Sequence, residues 1–257
     1  DDYQKKIQSD YQGTAQSVTN DDSIEMVNEW VEKQTNGKIT NILSEENRGY
    51  VCALANAIYM KADWVNKFEK EGTYKETFTD INGDESEIDF MHQAADFKYY
   101  ENGDTKAVKL PYENGLSMVV VLGDTKNILN DIHNNKMTSK LVDVSLPKFK
   151  AEYSIDYVNI LKNMGIEKAF DNQNADFSLM LENYPERIKI DSVLQKAMID
   201  VDEKGTEAAA ATVAVLTKSA LSVDEEVIEF RADKPFTYYI LDDSGNVYFA
   251  GRYVKAE

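Results

Sequence analysis

The stretch Val51-Cys52-Ala53-Leu54-Ala55-Asn56-Ala57-Ile58-Tyr59-Met60 constrains the fold more than any other. It carries no charge and is apolar almost throughout, yet it is too short to cross a membrane. Such a run suits a central strand buried on both faces, which requires further layers above and below it. Asn56 is the exception inside the run. A buried amide needs partners, so Asn56 is expected in a hydrogen-bond network. Ser117-Met118-Val119-Val120-Val121-Leu122 is a second core strand. Residues 68–112 alternate and are punctuated by Asn82-Gly83-Asp84, Asn102-Gly103-Asp104 and Asn114-Gly115, all turn signals. Phe236-Thr237-Tyr238-Tyr239-Ile240-Leu241 and Val247-Tyr248-Phe249-Ala250 flank a short loop and predict a hairpin. Helical spacing of Ile24, Val27, Trp30 and Val31 predicts an amphipathic helix over 24–35, capped by Asp22 or Ser23 and stopped at Gly37. A second helix is predicted over Ser154–Met164, closed by Gly165. With four prolines, no linker and no repeat, residues 1–257 read as one strand-rich α+β domain.

Composition removes whole classes of function. The net charge is −18. A surface that negative repels phosphate backbones and anionic lipid heads, so no nucleic-acid or membrane partner is expected. No apolar stretch reaches eighteen residues, and no signal peptide follows the polar start at Asp1. Apolar residues make up 42%, enough for a core. Cys52 stands alone, so an internal disulfide and a cysteine metal cluster are both excluded, and it reads as a small buried hydrophobe. His92 and His133 are too few for a histidine-rich metal site, and neither sits in a motif for a Ser-His-Asp triad. No phosphate loop or dinucleotide fingerprint is present. Asp84-Glu85-Ser86-Glu87 reads as a solvated face. The expectation is a protein without metal or cofactor that is not an enzyme.

Residues 203–222 are anomalous. In Glu203-Lys204-Gly205-Thr206-Glu207-Ala208-Ala209-Ala210-Ala211 the alanine run favours helix, whereas the following Thr212-Val213-Ala214-Val215-Leu216 favours strand. At period two, Thr206, Ala208, Ala210, Thr212, Ala214 and Leu216 form one face of small or apolar side chains, and Glu207 opens the other. Such a segment can slide into a sheet with that face against a core. Its start, Glu203 through Ala210, resembles the reactive-loop hinge of an inhibitory serpin. The resemblance extends along the chain: Val31-Glu32 with Thr35 and Gly37-Lys38-Ile39; Asn56-Ala57-Ile58-Tyr59-Met60-Lys61-Ala62-Asp63-Trp64 with Phe68; Leu110-Pro111-Tyr112; Leu146-Pro147-Lys148-Phe149; Met164-Gly165-Ile166 with Phe170; Ala175-Asp176-Phe177-Ser178; Asp233-Lys234-Pro235-Phe236; and Phe249-Ala250-Gly251-Arg252. Ala62 stands where the family usually has glycine.

The resemblance implies a serpin fold, with a large central sheet, further sheets and surrounding helices. It implies a suicide substrate for serine proteases of the chymotrypsin and elastase class. The protease cuts the loop, and the freed end enters the main sheet as a strand. The hinge is then Glu203, Gly205, Thr206, Glu207, Ala208, Ala209, Ala210, Ala211 and Thr212. Counting along the family's loop puts the reactive bond at Ser219-Ala220, which suits elastase-like proteases, with Lys218-Ser219 as a trypsin-like alternative. Trp64, Lys148 and Glu203 match the region where the loop enters, and Lys148 and Glu203 match an ion pair there. Asn56 and Gln195 match a polar cluster under the centre of the sheet, where Gln195 replaces the family's common histidine and cannot titrate.

The family's N-terminal portion precedes the region matching residue 1, so this chain is expected to be a fragment of a longer serpin, with a naturally truncated protein as the alternative. A partner segment or self-association is then expected to cover the sheet. Two other readings are a non-inhibitory, serpin-like binding or chaperone module, and an inactive fragment. The hinge composition argues against the first. Target proteases act outside the cytoplasm, which implies an extracellular, periplasmic or cell-surface site. The absence of Asn-x-Ser/Thr sequons leans to a non-glycosylated, prokaryotic source.

Overall fold

A computed structural model describes residues 2–19, 21–180, 187–206 and 227–256. The hinge positions Glu207 to Thr212 and the reactive-bond candidates Lys218, Ser219 and Ala220 lie outside the described residues. The helices are α1 (Asp2–Tyr11), α2 (Ser23–Gln34), α3 (Ile128–His133) and α4 (Val158–Asn163). The strands are β1 (Ala53–Tyr59), β2 (Ala62–Asp63), β3 (Tyr74–Thr79), β4 (Glu85–Asn102), β5 (Thr105–Pro111), β6 (Ser117–Leu122), β7 (Thr138–Pro147), β8 (Phe149–Asp156), β9 (Ser192–Asp202), β10 (Gly205–Thr206), β11 (Ile228–Arg231), β12 (Phe236–Leu241) and β13 (Val247–Tyr253). They fall into two compact units.

The first unit comprises Asp1–Tyr59 and Glu152–Met198. α2 forms where the helical spacing predicts it, and Gly37 at φ +77° takes the chain out of the helix. Ile24, Val27, Trp30 and Val31 pack with Ile39, Ile42, Leu43, Leu194 and Met198, and with Ala55 and Ala57 of β1. The Asn28 side chain fixes this packing by accepting from the amides of Ile42 and Leu43, each at 2.9 Å. β1 pairs with β9 in parallel, from Ala53 opposite Ser192 to Tyr59 opposite Met198.

Two expectations change here. β1 is not buried on both faces: Leu54 is 45% exposed and Asn56 is exposed. Strand alternation turns Ala55 and Ala57 toward α2 and leaves Leu54 and Asn56 on the opposite face. The helix predicted over Ser154–Met164 is shorter, because residues 154–156 still belong to β8 and α4 starts at Val158. Asp156 marks the switch. Its carboxylate accepts from Ser192 Oγ at 2.6 Å, from the Val158 amide at 3.0 Å and from the Val193 amide at 3.2 Å. Burial alone would raise its pKa, yet these donors hold it below the ordinary value.

The second unit comprises Met60–Ala151 and Ile199–Glu257. Its eight-stranded sheet runs β11-β7-β4-β5-β6-β12-β13, with β3 on β4. The turn signals act as expected, with Gly83 and Gly103 at positive φ between β3 and β4 and between β4 and β5. β6 is buried at every residue, and β12 and β13 form the closing hairpin. The core gathers Phe78, Phe90, Met91, Leu110, Met118, Val144, Leu146, Phe230 and Phe236. The end of β9, the short β10 and β2 also belong to this unit.

Candidate functional site

The site grows from the turn that follows β9. Asp202 Oδ1 accepts from the amides of Lys204 (2.9 Å) and Gly205 (3.3 Å), reversing the chain into β10. β10 then pairs antiparallel on both sides: Thr206 lies opposite Val201 of β9 and Ala62 of β2, and Gly205 opposite Asp202 and Asp63. The start of the hinge is therefore an interior strand two residues long. Both residues are buried, Thr206 completely.

Trp64 organises the surroundings. It is fully buried, stacks on Tyr112 with ring centroids 4.1 Å apart, and meets Phe68 edge-on. The turn is locked at all three carbonyls. Asp202 O accepts from Trp64 Nε1 (3.0 Å), Glu203 O from the Phe68 amide (2.8 Å) and Lys204 O from the Trp64 amide (2.8 Å). Lys148, just beyond β7, donates from Nζ to the Glu203 carboxylate at 3.0 Å. Trp64, Lys148 and Glu203, which the family resemblance grouped in one region, meet in one cluster. Tyr112 was not among the expected site residues. Its hydroxyl lies 2.9 Å from Thr206 Oγ1. The sequence signal was its place in Leu110-Pro111-Tyr112, a buried aromatic beside the hinge once the chain folds.

The Glu203 side chain is 7% exposed, which by itself raises a carboxyl pKa. The hydrogen bond from its own backbone and the pairing with Lys148 outweigh burial and hold it below its ordinary 4.5. A depressed carboxyl contributes stability that is complete above the unfolded value and is lost as pH falls through the folded one. Lys148→Met is expected to destabilise the protein by about 1–3 kcal/mol at pH 7. That is less than the ~3–5 kcal/mol for breaking a fully buried pair, because Lys148 is 37% exposed. The difference between variant and parent should shrink as pH falls below 4.5 and disappear only once the pH has passed through the lowered value at which the folded Glu203 takes up its proton. Thermal melts at pH 7 and at acid pH read both effects, and a pH-independent difference would exclude the pair as its source.

Asn56 and Gln195 lie opposite each other in the β1–β9 register. Among the described residues no side-chain hydrogen bond joins them, and Asn56 faces outward. His92, which no sequence motif connects to a serine, has Nδ1 2.9 Å from Ser145 Oγ and Nε2 3.8 Å from Glu76 Oε2. Ser145 is only 3% exposed, so its hydroxyl is closed to a peptide substrate. Glu76 also takes an ion pair from Arg231 on β11 at 2.7 Å. The Ser145, His92, Glu76 and Arg231 group therefore ties β7, β4, β3 and β11 together. Among the described residues no group of three or more His, Cys, Asp or Glu is placed to hold a metal ion.

The sheet thus holds Gly205 and Thr206, which lead into the Ala-rich segment, between β9 and β2. The profile of the serpin (serine protease inhibitor) family matches residues 1–256. An uncharacterized serpin-like protein of Thermococcus kodakarensis is 38% identical over 243 residues, covering 88% of this chain and 55% of its own length. Serpin B11 of Mus musculus is 32% identical over 272 residues, covering 98% of this chain and 68% of its own. The crystal structure of Serpin48 from the insect Tenebrio molitor matches with a TM-score of 0.81 at 31% identity, covering 100% of this chain and 72% of that one. The chain belongs to the serpin family, and its fold is the family's α+β fold with mixed sheets. It spans little more than half the length of the archaeal relative.

Proposed function

We propose that this chain, residues 1–257 acting as one serpin domain, inhibits serine proteases as a suicide substrate. Family membership supports protease inhibition in general. The observation that carries the mechanism is β10, because Gly205 and Thr206 already occupy the interior position that a growing strand would extend. Serpin loop insertion is an established example of strand addition. In the proposed reaction the protease serine Oγ attacks the Ser219 carbonyl carbon. The Ser219-Ala220 peptide bond breaks, the acyl ester stays on the protease, and the amino group of Ala220 leaves with the proton. Lys218-Ser219 is the alternative bond. The chain then zips onward from Thr206. β1 and β9 are direct neighbours over seven residue pairs, so they must part to admit it. The bond expected at Ser219-Ala220 favours chymotrypsin- or elastase-class targets met outside the cytoplasm. The exposed Leu54 face of β1 would be covered by further chain or by a second copy in the working inhibitor.

Incubation with elastase and with trypsin tests the proposal. An SDS-stable adduct is expected, and mass spectrometry of the released peptide identifies the bond. A clean nick with full protease activity would leave the chain a substrate or a non-inhibitory module. Thr206→Arg places a charge where the side chain is fully buried. It should convert the inhibitor into a substrate, and an adduct formed at the parent's stoichiometry would contradict the mechanism.

A further inference from the structure

Tyr112 is held from three sides. It stacks on Trp64, shares an isolated antiparallel bridge with it, and donates its amide to Leu116 O at 2.9 Å. The residue is 2% exposed, so its ring has no room to follow a moving loop. The hydrogen bond its hydroxyl makes among the described residues is to Thr206 Oγ1, at 2.9 Å. Burial pushes the phenol well above its ordinary pKa, so it stays neutral and keeps its proton. Thr206 is fully buried, and among the described residues the hydrogen bond of its hydroxyl is the one to Tyr112. When the hinge leaves the sheet, the fixed Tyr112 hydroxyl loses this partner inside the core, which is unfavourable.

We infer that Tyr112 is a positioning residue for the loop: its hydroxyl holds Thr206 as the first rung of the added strand before any protease arrives. This rests on the insertion mechanism proposed above. Insertion then starts from a formed nucleus instead of a search for register. The acyl-enzyme partitions between trapping by insertion and release by hydrolysis. A smaller docked fraction therefore lowers trapping in proportion. An unpaired buried hydroxyl corresponds to about a 5- to 100-fold change in the ratio of docked to undocked hinge.

The test is a cycle of Tyr112→Phe, Thr206→Val and the double variant, in the full chain carrying Trp30→Phe so that Trp64 is the single tryptophan. Each single variant strands one buried hydroxyl, whereas the double strands neither. Acrylamide quenching of Trp64 fluorescence, read without protease, should rise several-fold in both singles and return most of the way in the double. The number of inhibitor molecules consumed per elastase inactivated should follow the same pattern. Additive effects, or singles indistinguishable from the parent, would overturn the tether. Quenching that follows the cycle while stoichiometry does not would overturn its role in trapping. If the parent forms no adduct with any protease, the inhibitor mechanism falls, and the quenching cycle still decides whether Tyr112 holds the hinge.

Discussion

A single cut within residues 207–226 should raise the melting temperature by at least about 10 °C. β1 and β9 make one parallel ladder over seven residue pairs. A strand that continues antiparallel from Thr206 would replace that ladder with two antiparallel ones, which are slightly stronger per residue. The net gain is about ten ladder bonds at ~0.5–1.5 kcal/mol each, opposed by ordering of the inserted backbone and aided by burial of the face begun by Thr206. A surplus of only about 5 kcal/mol gives roughly 10–20 °C for a chain of this size. Before the cut, the far end of the segment is tied to β11, whose Arg231 is paired with Glu76, so the strand cannot extend fully. Calorimetry before and after limited proteolysis reads the shift. An unchanged or lower transition in a fully nicked sample would remove strand insertion from the account.

What the sequence disclosed follows from the range of the forces involved. α2, β6 and the closing hairpin rest on local spacing and turn chemistry, and they stand where they are expected. The helix expected over Ser154–Met164 begins only at Val158 because pairing of β8 with β9 overrides local preference before it, and Asp156 closes the strand through donors 2 and 36–37 residues away. The apolar run around Asn56 implies burial on both faces, yet Leu54 and Asn56 are exposed, because hydropathy records which residues prefer burial and not whether a layer lies on each side. The site was legible only through the family likeness. Glu203 and Lys148 are 55 residues apart, and Tyr112 and Thr206 are 94 apart, distances over which no periodicity carries information. The tertiary fold alone brings them together.

Gly205 should be the position least tolerant of a side chain. Its φ is +150°, which disfavours any L residue, and a Cβ there would lie 2.2 Å from Ala62 O, 2.7 Å from Asp63 Cα and 2.8 Å from Trp64 N. All three are backbone atoms, so no rotamer change relieves the contact. The Trp64 amide is also bound to Lys204 O, so moving it breaks the turn that presents the hinge. Gly205→Ala must therefore expel β10 or displace β2, with an expected loss of about 3 kcal/mol, in the range of severe single substitutions, and a melting temperature lower by roughly 6–12 °C. Gly83→Ala is the matched control. It has φ +87° and no atom within 4 Å of the added carbon, so it incurs the backbone penalty alone, about 1–2 kcal/mol. Inhibition should separate the two more sharply than stability. Without a docked hinge, Gly205→Ala should release cleaved product in place of adduct, whereas Gly83→Ala should trap protease at the parent's stoichiometry. Equal melting points and equal trapping by the two variants would mean that β10 is not the gate through which the strand enters.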